Sequence, residues 1–137
     1  ARDLVRPLPD ILLTGTDIDS VALELGRRNA AQAGLEQVIE FREAPVAEFS
    51  SHAKYGCLIT NPPYGQRMGE QETVSELHAQ LARVVAPLET WSVYVLTADR
   101  GFQRSFGRTA TRRRKLFNGR IECTYYQYAG PRPPWSQ

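Results

Sequence analysis

The chain has 137 residues, of which 42% are hydrophobic and 23% are charged, and its formal net charge is +2 at pH 7. This length suits one ordinary domain, and the apolar content excludes a globally disordered chain. No apolar run approaches the roughly 18 residues of a membrane span. Residues 1–10 mix charges with prolines, so they do not resemble a signal peptide.

Charge is distributed unevenly along the chain. Residues 1–99 hold 8 Lys and Arg against 14 Asp and Glu, whereas residues 100–137 hold 9 basic side chains and one acid, Glu122. Eight basic residues and no acid lie between Arg100 and Arg120, a stretch that we call the basic block. A block of one sign beside a more acidic region indicates a polyanionic partner, most simply nucleic acid. The alternative is a solvated basic surface.

Two cysteines are too few for a disulfide scaffold. Cys57 and Cys123 lie in strand-like segments, which predicts buried thiols in a reducing compartment. Only His52 and His78 could join them as metal ligands, and neither CxxC nor HxxxH spacing occurs. We therefore expect no metal site. We also expect no membrane partner and a cytoplasmic location. His78 is expected at the boundary of an apolar helix face.

The sequence predicts alternating strands and helices. Asp19 is expected to cap the first helix and Gly34 to follow its end, while Thr73 and Glu76 form a capping box for the second long helix. In chain order, the predicted elements are a strand at 11–18, a helix at 20–33, strands at 38–43 and 55–60, a helix at 73–88, a strand at 91–97, a short helix at 99–107, and extended runs at 113–117 and 120–128 joined by Asn118-Gly119.

This order of elements predicts an α/β fold with a mostly parallel sheet and a C-terminal antiparallel hairpin. Sheets of this kind that bind nucleotides usually begin with a strand and a glycine-rich turn. Here the opening segment is polar and broken by prolines, and neither GxGxxG nor GxxxxGK occurs. We expect residues 1–137 to form a single, incomplete domain that lacks the first strand and the glycine-rich loop. The missing glycine fingerprint also argues against a nicotinamide oxidoreductase.

Asn61-Pro62-Pro63-Tyr64-Gly65 follows a short apolar strand, at the strand end where open α/β sheets bind ligands. The prolines stiffen the loop, so the Asn61 amide and the Pro62 carbonyl are held at a fixed separation. Two such acceptors can grip both hydrogens of an exocyclic amine and direct its lone pair at an electrophile. Tyr64 offers a face on which a base can stack, and Gly65 permits close approach. The alternative is an ordinary Pro-Pro turn with a packed tyrosine.

Asp17-Ile18-Asp19 ends the first predicted strand. An acid at this position can accept hydrogen bonds from both hydroxyls of a ribose, and Ile18 could then pack on an adenine. Asp19 fits the helix cap better than a ligand role. A lone acid at a strand end can equally serve capping or solubility, but its place before the Asn-Pro-Pro-Tyr motif favours ligand binding by Asp17.

Together these segments resemble S-adenosylmethionine-dependent amino-methyltransferases. The resemblance spans residues 11–134 and is carried by GTDID, NPPYG with the helix after it, TWSVYVLT, RRRKLFNGRIECTYYQY and GPRPP. The KLFNG hairpin with the downstream YYQY is most similar to the bacterial THUMP-containing 23S rRNA (guanine-N2)-methyltransferases. The resemblance implies a Rossmann-like class I methyltransferase sheet, S-adenosylmethionine as the cofactor and 23S rRNA as the partner.

The resemblance also implies roles for individual residues. Asp17 would bind the cofactor's ribose and Ile18 its adenine, with Asn61 beside the cofactor. Asn61 and Pro62 would hold the target amine, Pro63 would stiffen the catalytic loop, and Tyr64 would stack on a base extruded from the RNA. Methyl transfer to an amine needs no general base, so catalysis would be mostly positioning. The residues expected to contact RNA are Gly65, Arg112, Arg113, Arg114, Lys115 and Phe117.

The basic residues around the predicted hairpin favour a rim that contacts phosphates beside the base pocket. The run 112–115 lies at the base of the hairpin, and Arg104 and Arg108 are spaced to share one face of the short helix. The alternative is a solvated surface in which an arginine pairs within the protein. Phe117, near the hairpin tip, could stack on the second face of an extruded base, or it could pack in the core or against the hairpin itself.

The sequence departs from the family in three ways. The glycine-rich loop with its strand is absent, and the THUMP region is absent. Glu43-Ala44-Pro45 stands where many relatives carry an acid near the cofactor adenine, which Pro45 cannot supply and Glu43 could supply only with a shifted register. We therefore interpret the chain as the C-terminal piece of a longer enzyme. We expect it to bind S-adenosylmethionine weakly or not at all alone, and its exposed sheet edge favours self-association. Two alternatives stay open, adenine N6 methylation of RNA or DNA and a non-catalytic nucleic-acid-binding fragment.

Overall fold

A computed structural model describes residue 11 and residues 13–65 and 71–135, so the polar opening segment 1–10 lies outside the described residues. The chain divides into two compact units, Ala1–Glu48 and Phe49–Gln137. The helices and strands, in chain order, are β1 (Leu13–Asp17), α1 (Ser20–Gln32), β2 (Ile39–Glu43), β3 (Cys57–Thr60), α2 (Gln71–Val85), β4 (Ser92–Thr97), α3 (Phe102–Phe106), β5 (Arg112–Asn118) and β6 (Ile121–Tyr128).

The first unit is a β-α-β arrangement with its two strands in parallel. β1 and β2 pair from Leu13 opposite Ile39 to Asp17 opposite Glu43. The cap predictions for α1 are confirmed. Oδ1 of Asp19 accepts a hydrogen bond of 2.9 Å from the backbone N–H of Val21. The helix ends at its C-cap residue Ala33, and Gly34 follows with a φ of +73°.

A phenylalanine ring packs between the strand and the helix of this unit. Phe41 of β2 lies against Gly15 of β1 and Gly26 of α1. A Cβ atom added to Gly26 would lie 2.9 Å from Cε1 of Phe41, and one added to Gly15 would lie 3.2 Å from Cδ1. The two glycines therefore leave room for the ring between strand and helix.

The second unit contains a four-stranded sheet in the order β3-β4-β6-β5. β3 pairs with β4 in parallel, whereas β4–β6 and β6–β5 are antiparallel. The predicted α/β class and the C-terminal hairpin are confirmed. The alternating burial of β4, with every second residue fully buried, gives this sheet its core.

The hairpin turn lies one residue later than the sequence predicts. Asn118 pairs with Ile121, so the two-residue loop is Gly119-Arg120 and the predicted loop Asn118-Gly119 is wrong. Gly119 has a φ of +63°, and Arg120 is not among the described residues with positive φ. A positive φ at the first loop residue alone is typical of a type II′ turn. Asn118 consequently belongs to the strand ladder.

Two predictions at helix ends are wrong. The described part of α2 begins at Gln71, so Thr73 lies inside the helix and cannot cap it. α3 spans only Phe102–Phe106, because a glycine in the left-handed conformation follows it directly. Arg108 therefore lies beyond the helix and does not share a helical face with Arg104.

The core of the second unit surrounds a histidine. His78 of α2 is fully buried, which contradicts the expected boundary position. Its ring meets Phe102 edge to face at 4.8 Å, and its Nδ1 lies 3.6 Å from Oδ2 of Asp99. Among the described residues neither ring nitrogen has a hydrogen-bond partner. Burial lowers the pKa of His78, and the Asp99 carboxylate opposes this only in part.

The lowered pKa of His78 predicts a loss of stability in mild acid. The unfolded chain binds a proton at its ordinary pKa of about 6.5, whereas the folded protein resists protonation, so the free energy of unfolding falls as the pH drops below that value. A single group contributes at most roughly 1.4 kcal/mol per pH unit. Urea unfolding at pH 7.5 and 5.5 should show this slope. It should disappear in His78→Leu and persist in His52→Leu, since His52 is exposed.

The two cysteines differ in exposure, so the prediction of two buried thiols is wrong for Cys57. Cys57 is exposed on β3, Cys123 is buried on β6, and both thiols are free. Within the part of the chain that the structure describes, no three His, Cys, Asp or Glu side chains cluster as metal ligands would. No helix among the same residues is long and apolar enough to cross a membrane.

Candidate active site

The loop at 61–65 leaves the carboxyl end of β3, where the sequence predicted it. Pro62 and Gly65 are buried, while Asn61 and Pro63 are exposed and Tyr64 is half-buried. Gly65 has a φ of +68°, a conformation that L side chains rarely adopt. Pro62 and Gly65 therefore anchor the loop, and Asn61 is exposed directly after the strand.

Tyr64 connects two asparagines. Its hydroxyl donates a hydrogen bond of 2.7 Å to Oδ1 of Asn61 and accepts one of 3.0 Å from Nδ2 of Asn118. Burial raises the pKa of the Tyr64 phenol, and the buried Cys123 thiol adds to this effect. The phenol therefore stays protonated at neutral pH, and its single hydrogen is committed to Asn61.

Asn118 is the site residue that sequence reasoning missed. The sequence indicates only a turn at this position, and 54 positions separate Asn118 from Tyr64. A side-chain contact of that kind leaves no periodic signal in one sequence. β3 and β5 are opposite edges of the sheet but run in the same direction, so the loop after β3 and Asn118 lie at the same end of the sheet, and the Tyr64 side chain reaches Asn118 across the intervening strands β4 and β6.

Asp17 lies in the first unit, at the carboxyl end of β1. Its Oδ1 accepts a hydrogen bond of 2.9 Å from the backbone N–H of Asp19, and its carbonyl accepts one of 3.0 Å from Ala44. Ile18 is 70% exposed. The carboxylate is therefore held in a fixed orientation beside an uncovered apolar side chain. An adjoining cavity of about 140 Å³ is lined by Gly15, Thr16, Asp17, Ala22, Leu23 and Phe41.

Most of the predicted RNA-contacting residues lie on the exposed edge strand β5. All seven of its residues are exposed, and successive side chains on a strand point to opposite faces. Arg112 and Arg114 consequently point away from Arg113 and Lys115. Lys115 pairs with Glu122 at 3.4 Å, whereas no ion pair forms with the three arginines among the described residues. The exposure of Phe117, 65%, rules out its alternative role in the core.

The comparison with known families decides the assignment. Residues 2–127 match the family model described as RMKL-like, methyltransferase domain. The chain belongs to this family of methyltransferase domains. The predicted resemblance to methyltransferases is thereby confirmed.

Two curated relatives extend this finding. The chain is 40% identical over 118 residues to Putative RNA methyltransferase YpsC of Bacillus subtilis (strain 168), covering 86% of this chain and 31% of YpsC. It is 37% identical over 120 residues to Ribosomal RNA large subunit methyltransferase K/L of Shewanella baltica (strain OS185), covering 87% of this chain and 17% of that protein. The chain thus spans less than a third of the length of these relatives.

Solved structures agree with the fold. SMU.472, complexed with SAH, matches with a TM-score of 0.84 and 38% identity over 88% of this chain and 32% of that one. A protein of Listeria monocytogenes str. 4b F2365, described as a predicted N6-adenine-specific DNA methylase, matches with a TM-score of 0.78 and 41% identity over 86% of this chain and 30% of that one. The predicted α/β methyltransferase fold is confirmed.

Proposed function

We propose that the protein carrying this chain uses S-adenosylmethionine to methylate an exocyclic base amine in RNA, specifically N2 of guanine in 23S rRNA. The observation that carries this proposal is the Asn61 amide oxygen, held by the Tyr64 hydroxyl at the carboxyl end of β3. The names of YpsC and of methyltransferase K/L support RNA as the substrate class.

The amine is gripped through two acceptors. Oδ1 of Asn61 has two lone pairs, of which Tyr64 occupies one, so the second can accept an N–H of the target amine. The Pro62 carbonyl accepts the other N–H. With both hydrogens held, the nitrogen lone pair would be left free for a methyl donor, and reacting groups in fixed geometry gain a large rate advantage over free encounter.

No side chain in this site has to act as a base. S-adenosylmethionine, when bound, supplies a methyl group from a sulfonium sulfur. The amine nitrogen that accepts the methyl group then releases one proton to solvent. The Tyr64 hydroxyl agrees with this assignment, because its hydrogen is donated to Asn61 and orients that amide.

The first unit fits the cofactor. The fixed carboxylate of Asp17 suits the two hydroxyls of a ribose, and the exposed Ile18 suits the face of an adenine. Asp17 is also one of the residues that line the cavity of about 140 Å³. The SAH in SMU.472 supports the same cofactor class.

Guanine N2 and adenine N6 are both exocyclic amines, so the Asn61 grip accommodates either. The name of methyltransferase K/L favours ribosomal RNA, whereas the description of the Listeria protein favours adenine N6 in DNA as the second candidate. Inosine lacks the amine at C2, so replacing the target guanosine by inosine in an RNA fragment should abolish tritium transfer from labelled S-adenosylmethionine. Unchanged transfer to that fragment, with transfer lost when adenosine is replaced by purine riboside, would favour the second candidate.

We expect the basic block to make the binding of RNA depend on salt. All eight of its side chains are exposed. Each neutralised phosphate releases counterions, so log affinity should fall with log salt by about 0.7 to 0.9 per contact. Replacing Arg112, Arg113 and Arg114 by Ser should flatten the slope by roughly one to three units. Filter binding of structured 23S rRNA fragments over a salt series measures this.

Two controls accompany the triple variant. Replacing Arg27, Arg28 and Arg42 by Ser removes three arginines that already pair with Glu24 or Glu40, so the slope should stay unchanged. Tyr64→Ala should lower turnover without changing the slope, because stacking on a base involves no ion release. A triple variant with the slope of the unaltered protein would show that RNA is held elsewhere, and it would favour the solvated-surface alternative.

The proposal extends to assembly and location. β3 and β5 are the two edges of the four-stranded sheet among the described strands, and Ile59 on β3 is 71% exposed. Unpaired edges of this kind pair with other chains. We infer self-association through β3 and action on ribosomal RNA in the cytoplasm, and sedimentation equilibrium at several concentrations tests the first of these.

A further inference from the structure

The hydroxyl of Tyr64 lies between two segments that are distant in sequence. Asn61 belongs to the loop after β3, while Asn118 ends β5 and is paired with Ile121 in the hairpin ladder. Because Gly119 closes the turn directly after Asn118, the backbone of this asparagine is fixed on both sides. The side-chain amide of Asn118 therefore contacts Tyr64 from a backbone position that the hairpin fixes.

The two hydrogen bonds have a direction. Nδ2 of Asn118 can only donate, so it occupies a lone pair of the Tyr64 oxygen. The single phenol hydrogen is then left for Oδ1 of Asn61. If the Asn61 amide turned over, the phenol hydrogen would lose its oxygen acceptor and would be left with the Cys123 sulfur, which is a weak acceptor.

Amide orientation matters for an amine substrate. An Asn61 oxygen accepts the hydrogens of the amine and leaves the nitrogen lone pair free. An Asn61 NH₂ group would instead donate to that lone pair and block the electrons that must form the new bond to carbon.

We propose that Asn118 is a positioning residue for methyl transfer, which acts through Tyr64 to keep the oxygen of Asn61 directed at the target amine. This inference rests on the proposed function. It assigns the end of the hairpin a role in the reaction itself, beyond any contact that the hairpin makes with RNA.

A merely structural role for Asn118 would leave a different pattern of substitutions. If the bond only fastened the hairpin to the loop, Asn118→Asp would preserve it, because a carboxylate accepts a hydrogen bond from the Tyr64 hydroxyl. Asn118→Ala would then be the more harmful change. Under the positioning role the order is reversed, since a carboxylate at 118 attracts the phenol hydrogen away from Asn61.

The test uses the full-length protein and compares kcat and KM for a guanosine-containing RNA fragment. Asn118→Asp should lower kcat by about tenfold, the equivalent of one well-placed hydrogen bond, and Asn118→Ala by less. KM for the RNA should change little in both. In a Tyr64→Phe background Asn118→Asp should cause no additional loss, since the hydroxyl that transmits the effect is gone.

Two further measurements separate the outcomes. In the protein without cofactor, the side-chain amide signals of Asn61 in a ¹⁵N-correlated spectrum should shift in Asn118→Asp and stay in place in Asn29→Asp. Asn29 is exposed on α1 and provides the same chemical change away from the site. Asn29→Asp should also retain full kcat.

The inference is overturned if Asn118→Asp retains more activity than Asn118→Ala, or if its loss adds fully to that of Tyr64→Phe. It is equally overturned if the Asn61 signals do not move. If the unaltered protein transferred no methyl group to any RNA, that result would contradict the proposed function. The two failures are therefore distinguishable.

Discussion

Asn61→Ala is expected to abolish methyl transfer by the full-length protein while its affinity for S-adenosylmethionine stays nearly unchanged. The alanine removes the amide oxygen that Tyr64 holds at the end of β3, so the amine loses an acceptor and its lone pair is no longer directed. Loss of a group that positions the reacting atoms costs about 10²-fold or more in kcat. A tritium transfer assay measures the rate, and calorimetry measures cofactor affinity.

Asp17→Ala supplies the reciprocal test. This carboxylate is expected to hold the ribose hydroxyls, so its removal should raise the Kd of the cofactor and leave the chemical step at saturating cofactor largely intact. Asn29→Ala, an exposed asparagine on α1, should change neither quantity. Equal loss of cofactor binding in Asn61→Ala and Asp17→Ala would show that the two residues do not have separate roles.

Phe102→Ala is expected to give the largest loss of stability among single substitutions discussed above. Phe102 is fully buried, and its ring contacts those of His78, Phe106 and Tyr126 at centroid distances of 4.8 to 5.0 Å. Replacing a buried phenylalanine by alanine typically costs about 3–5 kcal/mol, because apolar burial is lost and a cavity remains. Urea unfolding monitored by circular dichroism measures this difference.

The matched control for this substitution is Phe117→Ala. Phe117 is 65% exposed on β5, so the same chemical change should alter the free energy of unfolding by no more than about 0.5 kcal/mol. Similar losses in both variants would mean that α3 does not anchor the core of the second unit.

Local patterns predicted most of the fold. The strand before Asn61, the Asp19 cap and the hairpin all follow from residue type and spacing within a few positions, and the structure contains each of them. The errors concern the exact ends of helices and the burial that another element of the fold creates. Thr73 matches a capping box, but the helix already begins before it, and His78 is buried because α3 packs over it.

The sequence predicts which motif residues form the candidate site, but it does not predict the hydrogen bond that joins them to the hairpin. Asn61 and Tyr64 stand in one short motif, so their proximity follows from the sequence. The hydrogen bond from Asn118 depends on the strand order and on the path of the loop after β3, which no local period in one sequence encodes. The turn register has the same origin, since a shift of one residue moved Asn118 from the loop into the ladder.

The most direct test of the central claim is nucleoside mass spectrometry of ribosomal RNA. RNA is prepared from cells that lack the gene and from the same cells complemented with the unaltered protein or with Asn61→Ala. We expect N2-methylguanosine in 23S rRNA to be lost in the deletion, restored by the unaltered protein and not restored by Asn61→Ala. Restoration by Asn61→Ala, or a restored methyl group on a ribose oxygen or a ring carbon, would contradict the amine grip.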